Sequence, residues 1–159
     1  MRRKRKSLLK RNRGDDVDLI IHSITNASGL SEPFATMVLK RLESFGYTVT
    51  QDDTWLIGFS MQKVENSIRN DCNVDEIPDG LMHIAVDMTV GAFLYAKKQS
   101  GRLSIGDLDF SSAVSSIKEG DTQVNFGSGG SDGEKLDALI NYLLTYGRGE
   151  FACYRQIRW

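Results

Sequence analysis

One pair of side chains in the sequence has the types and spacing of an acid/base couple. His83 and Asp87 lie four residues apart in an apolar stretch, so on a helix they would share a face and could exchange a proton. The alternative is a structural hydrogen bond between them, which we favour because no third member of a catalytic set stands out in the sequence. We therefore predict that the chain is not an enzyme.

Motifs for metal or cofactor binding are also lacking in the sequence. Cys72 and Cys153 are too far apart for a C-x-x-C ligand pair, and His22 and His83 have no partner at zinc-ligand spacing. The glycine-rich segment 127–133 lacks the Lys-Ser/Thr of a phosphate-binding loop and is interpreted as a flexible connection. We expect no catalytic, metal-binding or cofactor-binding residues.

The strongest electrostatic feature is a basic arm, residues 1–14. Its first thirteen residues carry eight positive charges and no acid, whereas the rest of the chain has twelve basic and twenty-one acidic residues, a net charge of −9. Because like charges repel, we expect the arm to be flexible until a partner orders it. Nucleic acid is the leading partner, since arginine and lysine release counterions from phosphate, and a solvated tail or docking on an acidic neighbouring subunit is equally compatible. The candidate contact residues are Arg2, Arg3, Lys4, Arg5, Lys6, Lys10, Arg11 and Arg13.

Apolar periodicity predicts a mainly α fold, a small helical bundle around a central apolar helix at about 80–100. This central segment is apolar on nearly every side, which is typical of a helix surrounded by other helices. Gly91 within it is expected to permit a close backbone crossing. Glycines are expected to stop three helices, and Ser31 to cap one. The predicted helices are 16–25, 32–45, 52–72, 81–98 and 132–146.

Two segments have apolar residues outside the predicted buried faces of the helical bundle. Trp55 and Phe59 lie on a flank of helix 52–72 beside its buried stripe, and this wide apolar surface predicts contacts between subunits. Residues 113–126 alternate around a Glu-Gly-Asp turn, which favours a β-hairpin that would reach a neighbour. The hairpin's candidate inter-subunit residues are Val114, Ile117, Val124 and Phe126.

The C-terminal segment, residues 148–159, combines aromatic residues with arginines. Burying them in a small domain would require a further element, so we interpret the segment as a docking arm for a partner protein. The alternative is that it packs back on helix 132–146. The candidate docking residues are Phe151, Tyr154, Arg155, Ile157, Arg158 and Trp159.

The sequence predicts neither membrane insertion nor secretion. The longest nearly unbroken apolar stretch, 81–96, is shorter than the roughly 20 residues that span a bilayer. The basic start is not followed by the apolar region of a signal peptide. We expect a protein that stays in the cytoplasm where it is made.

Seven short segments of the sequence carry a family likeness. They are Gly46-Tyr-Thr-Val-Thr-Gln-Asp-Asp-Thr-Trp55, Lys63-Val-Glu-Asn-Ser-Ile-Arg-Asn-Asp-Cys-Asn73, Ile77-Pro-Asp-Gly80, Ala85-Val-Asp-Met88, Ala96-Lys-Lys-Gln-Ser-Gly101, Ile117-Lys-Glu-Gly-Asp-Thr122 and Tyr154-Arg-Gln-Ile-Arg-Trp159. Together they resemble the head-tail connector (head-completion) proteins of long-tailed bacteriophages infecting Gram-positive bacteria, and the likeness runs from about residue 31 to the C-terminus.

The resemblance implies a structural virion protein that forms a ring, usually a dodecamer, beneath the portal after DNA packaging. The ring extends the DNA channel and receives the next neck or tail protein, a stopper or tail-completion protein. Residues 15–147 would be the connector domain, 148–159 would dock on the portal, and assembly would take place in the host cytoplasm. The basic arm departs from the family pattern, so its contact with DNA or portal rests on charge alone.

Two other classes of function compete with this interpretation. The runner-up is a DNA-binding regulator or DNA-packaging subunit that uses the basic arm. It predicts a basic recognition helix, yet helix 52–72 carries acids and bases in balance. A small hydrolase built on His83 and Asp87 is the third.

Overall fold

The computed structural model of the chain describes residues 13–109 and 131–157. Throughout these ranges the regular structure is helical and no strand occurs, so the prediction of a mainly α fold is confirmed. The predicted β-hairpin at 113–126 lies outside the described residues. The α-helices are α1 (Arg13–Ser28), α2 (Glu32–Ser44), α3 (Thr54–Cys72), α4 (Met82–Gln99), α5 (Asp132–Thr145) and the short α6 (Phe151–Tyr154).

Helix α4 is the centre of the bundle. It packs against α2, α3 and α5, while α1 lies across α3 and α2. Since α4 is covered from several directions, apolar side chains are accommodated on nearly every side of it. Its buried residues are Ile84, Ala85, Val86, Met88, Thr89, Val90, Gly91, Phe93 and Leu94. The predicted central helix is therefore confirmed.

Gly91 sets the distance between α4 and α5. A Cβ atom at this position would lie 2.9 Å from the Cβ of Leu143 and 3.2 Å from the backbone nitrogen of Leu144. Real side chains do not approach so closely, so only glycine permits this crossing without a shift of α5. The predicted close backbone approach is confirmed.

The helix ends agree with most of the sequence expectations. Gly46, Gly101 and Gly147 follow α2, α4 and α5 with φ angles of 78°, 67° and 77°, the left-handed conformation that glycine adopts readily. The prediction for Ser31 is wrong in one respect, because its hydroxyl makes no capping hydrogen bond. Ser131 instead forms a full capping box at the start of α5.

Two helices differ from the prediction by more than one residue at an end. Helix α1 extends to Arg13–Ser28, beyond the expected 16–25, and its added residues Ala27 and Ser28 lie against Gly58 of α3. Helix α3 begins at Thr54 because Gln51–Asp53 form a 3-10 turn, in which the Asp53 carboxylate accepts a hydrogen bond from the backbone N–H of Thr50. The buried carboxylate thus belongs to the turn that precedes the helix.

Replacing Gly91 with valine should lower the free energy of unfolding by about 2 kcal/mol, because α5 must move or strain to admit the side chain. The matched control is Gly14→Val, since Gly14 is also helical and has open space around its Cβ position. Urea unfolding followed by circular dichroism measures both. Equal stability of the two variants would contradict a tight α4–α5 crossing.

Candidate interaction surfaces

An aromatic pair lies at the start of the exposed side of α3. The rings of Trp55 and Phe59 stack at 5.5 Å between centroids with an interplanar angle of 9°. Although they pack on each other, the side chains remain 66% and 51% exposed. Aromatic residues are enriched at protein contact surfaces relative to the rest of the protein surface. We call Trp55 and Phe59 the α3 aromatic face.

The residues that follow along the same exposed side of α3 are polar, and none is acidic. They are Gln62, Lys63, Asn66 and Asn70. This side therefore pairs an apolar end with a weakly charged polar end, whereas the whole body of the chain is acidic. The combination is typical of the apolar centre and polar rim of a protein contact.

The opposite side of α3 is fixed in the core, which orients the aromatic face. Ile57 and Met61 are fully buried, and Gly58 lets α1 approach closely. A Cβ atom on Gly58 would lie 3.3 Å from both the Ala27 Cβ and the Ile24 carbonyl oxygen. Because the helix cannot rotate without opening these contacts, the two rings are presented in one orientation.

A buried ionic cluster joins the start of α3 to the end of α4. The Asp53 carboxylate, only 2% exposed, accepts a hydrogen bond from Lys97 Nζ at 2.7 Å. The Tyr47 hydroxyl and the Thr50 hydroxyl each donate to its other oxygen at 3.0 Å. The Lys97 ammonium also lies 5.5 Å and 5.8 Å from the ring centroids of Tyr47 and Phe93. Each charged group is therefore compensated despite its burial.

The pKa values in this cluster follow from burial and pairing. Burial alone would raise the pKa of Asp53, but hydrogen bonds from Lys97 and Thr50 outweigh it and hold that pKa below its ordinary value. Burial opposes the charge on Lys97 as well, yet the bond to Asp53 raises its pKa. Burial is the main cause that raises the pKa of Tyr47. The pair is therefore ionised across the neutral range.

The C-terminal segment packs on the end of α3, which neither sequence interpretation anticipated. Phe151 is 4% exposed and belongs to the core, and Tyr154 is partly buried against it. The Tyr154 hydroxyl lies so close to Gly80 that any side chain there would collide with it. The sequence makes Phe151 a candidate docking residue, but the turn Arg148–Glu150 returns the chain to the core and buries this ring.

A set of hydrogen bonds, the α3 clasp, then holds the chain beyond α6. The backbone N–H of Gln156 donates to the Cys72 carbonyl at 2.8 Å, and Asn73 Nδ2 donates to the Gln156 carbonyl at 2.9 Å. Arg155 Nε donates to the Asp71 carbonyl at 2.9 Å. The bonds to Asp71 and Cys72 occupy carbonyl groups that the helix terminus leaves without helical partners. Asn73, the residue that ends α3, adopts the left-handed conformation common at helix C-termini.

Beyond the clasp the chain turns outward. Ile157 is 76% exposed, the highest value among the large apolar residues of the described part of the chain. Arg158 and Trp159 lie outside the described residues. The described residues of the docking set therefore differ: Tyr154 is partly buried, Arg155 is held by the clasp, and Ile157 is exposed.

The proposed acid/base couple is not formed. Asp87 accepts hydrogen bonds from Arg41 Nε at 2.7 Å and from Nη2 at 3.5 Å, and the Arg41 guanidinium lies 4.7 Å from the Phe45 ring centroid. His83 is exposed on α4. The expected structural hydrogen bond between His83 and Asp87 is thus replaced by an ion pair between α2 and α4.

The remaining predicted contact residues belong to the basic arm and the predicted hairpin. The basic arm up to Arg11 and the hairpin residues 113–126 lie outside the described residues, and Arg13 is the first residue of α1. Within 13–109 and 131–157, no three metal-ligating side chains cluster, and no helix has the length and apolarity to cross a membrane.

No family model, curated protein or solved structure matches the chain.

Replacing Lys97 with methionine should lower the free energy of unfolding at pH 7 by about 3 kcal/mol, because Asp53 would remain buried without its cation. The neighbouring Lys98→Met is the control, since Lys98 pairs with Asp137 at the exposed surface. Lys98→Met should lower the free energy of unfolding by less than about 1 kcal/mol. Urea unfolding measures both, and similar losses would contradict a dominant role for the buried pair.

The same pair predicts a pH dependence. Because the folded pKa of Asp53 is lowered, its stabilising contribution is fully present above the unfolded pKa, about 4, and is lost as the pH falls through the folded value. In Lys97→Met, burial without a cation should favour the protonated carboxyl. The difference in unfolding free energy between the wild type and Lys97→Met should therefore narrow below about pH 4. A difference that stays constant with pH would contradict this account.

Two substitutions distinguish the buried part of the C-terminal segment from its exposed part. Phe151→Ala should cost about 3 kcal/mol of unfolding free energy, because it removes a buried ring. Ile157→Ala should change stability by no more than about 0.5 kcal/mol, because that side chain is exposed. Thermal and urea unfolding compare them. A small effect of Phe151→Ala would return this residue to the docking set.

Proposed function

We propose that this chain is a structural virion protein that forms a ring between the portal of the DNA-filled phage head and the neck or tail, extending the DNA channel. The phage assignment rests on the seven sequence segments that resemble head-tail connector proteins. The physical support for assembly comes from the surfaces of the described residues. The observation that carries it is the stacked, exposed Trp55–Phe59 pair.

The α3 aromatic face suits a contact with another subunit. It is preorganised, because the rings already stack and their helix is fixed in the core, so a partner need not order them. Trp and other aromatic residues dominate the binding energy of many protein contacts. In a ring, this face would meet a different surface on the next subunit, and the repeated contact would close on itself.

The C-terminal end supplies a second surface, for the portal. The α3 clasp holds Gln156 against the body and leaves Ile157 directed away from the core. The docking element of this proposal is therefore short, Ile157 to Trp159, with Arg158 able to pair with a carboxylate of the portal. A short anchored peptide loses less entropy on binding than a long free arm.

Two segments outside the described residues complete the proposal. Residues 113–126, as a β-hairpin, would reach a neighbouring subunit or the channel. The acidic body suits a conduit that must not hold DNA, while the basic arm would contact DNA or an anionic portal surface. The runner-up, a DNA-binding regulator, gains no support from α3, whose exposed side carries Lys63 among uncharged residues.

The test is native mass spectrometry of the full chain mixed with its portal. The wild type should form a closed multi-copy complex, twelve subunits if the resemblance holds. Trp55→Ser/Phe59→Ser should abolish it, because the double variant removes two anchors that each contribute roughly 2 kcal/mol or more. The melting temperature should stay within about 2 °C, since both rings are exposed.

Tyr95→Ser is the matched control, because Tyr95 is an aromatic residue of similar exposure on α4. It should assemble as the wild type does. Unchanged assembly of the Trp55/Phe59 variant would refute the aromatic face as the ring contact. A two-fold dimer as the sole assembly with portal present would refute the ring itself.

A further inference from the structure

An apolar groove runs beside the first turns of α1. A cavity of about 430 Å³ lies between α1, α2 and residues 46–49, and its apolar lining residues are Val17, Ile20, Ile21, Leu39, Tyr47 and Val49. A second cavity of about 500 Å³ shares Ile20 and Val49 with the first and extends along α1 to Ser23 and Gln51. Because they share these walls, the two adjoin, and we call them together the α1 groove.

The start of α1 is incompletely covered by the rest of the described chain. Val17 lines one cavity and Leu19 the other, and both side chains are 43% exposed. Ile24, one turn further on, is fully buried. The first half of the helix thus has apolar side chains that the described residues cover only in part, as expected of a surface that receives a further element.

Acidic residues surround this groove. Asp16 and Glu43 line it, Asp15 and Asp18 lie on the same turns of α1, and Lys40 is the basic residue of the lining. A complementary occupant is therefore apolar over a short length and basic on both sides of it.

Residues 1–12 of the chain have this chemistry. Leu8 and Leu9 are adjacent, with the basic run Arg2–Lys6 before them and Lys10 and Arg11 after them. The length also fits. Five extended residues from Leu8 to Arg13 span up to about 17 Å, and the helix rise from Arg13 to Ile20 is about 10 Å. A chain that reverses direction before Arg13 can therefore bring its leucines to the groove.

We propose that residues 1–12 bind in the α1 groove of their own molecule, with Leu8 and Leu9 against Val17 and Ile20 and the flanking cations near the acidic rim. Binding within one molecule is favoured because the short connection gives a high effective concentration. Binding of the arm in the α1 groove does not depend on ring formation. A polyanion that binds the arm would have to displace it from the groove.

The experiment places a photoreactive p-benzoylphenylalanine at Leu8 in the full chain. Irradiation at low salt, digestion and mass spectrometry should locate cross-links at α1 groove residues. Mixing ¹⁵N-labelled and unlabelled protein distinguishes links within one molecule from links between two. The yield should fall at high salt, because the charged flanks contribute to binding.

A groove variant and a matched control complete the test. Val17→Ser/Leu19→Ser should reduce the groove cross-links by roughly tenfold, since it removes exposed apolar contacts without opening the core. Met37→Ser, an exposed apolar residue outside the lining, should leave them unchanged. Cross-links located elsewhere, links only between molecules, or an equal yield in the groove variant would each overturn the proposal.

Discussion

The interaction between Asp53 and Lys97 is the constraint on which the register of α3 against α4 depends. It joins residues 44 positions apart, the turn before α3 and the last turn of α4, at a site removed from water. Two buried charges are tolerated only when hydrogen bonds compensate them, and here Tyr47 and Thr50 complete the carboxylate. The register between α3 and α4 is therefore specified by polar geometry as well as by apolar packing, which alone permits many near-equivalent arrangements.

Around this anchor the bundle divides into a rigid part and a peripheral part. The crossing of α4 and α5 at Gly91 and the approach of α1 to Gly58 leave no room for rotation of the helices. The first turns of α1 and Ile157 near the C-terminus have fewer buried contacts. Surfaces that bind partners are commonly found on peripheral segments of this kind. A rigid body positions such segments, and the protein loses little stability when they rearrange.

The sequence predicts what depends on local pattern. Helix α4 is identified by apolar residues on all sides, and the stops at Gly46, Gly101 and Gly147 follow from glycine's access to positive φ. The failures concern contacts between distant residues. Asp87 pairs with Arg41, 46 residues away, although the helical spacing favours His83. Phe151 is buried because a 3-10 turn returns the chain to the core, and no periodicity in so short a segment reports it. The exposed aromatic pair was predicted, since it lies one step outside the regular stripe of α3.

The α3 clasp has a mechanical consequence. The aromatic face lies at the first turns of α3 and the clasp at its last residue, so the two surfaces are separated by the length of a single helix. From Trp55 to Cys72 this is about 25 Å, at the rise of an α-helix. Helices resist compression and bending far more than loops do, so α3 holds these two surfaces at a fixed separation. A pull on Ile157 would load the hydrogen bonds that join Gln156 to Cys72 and Asn73.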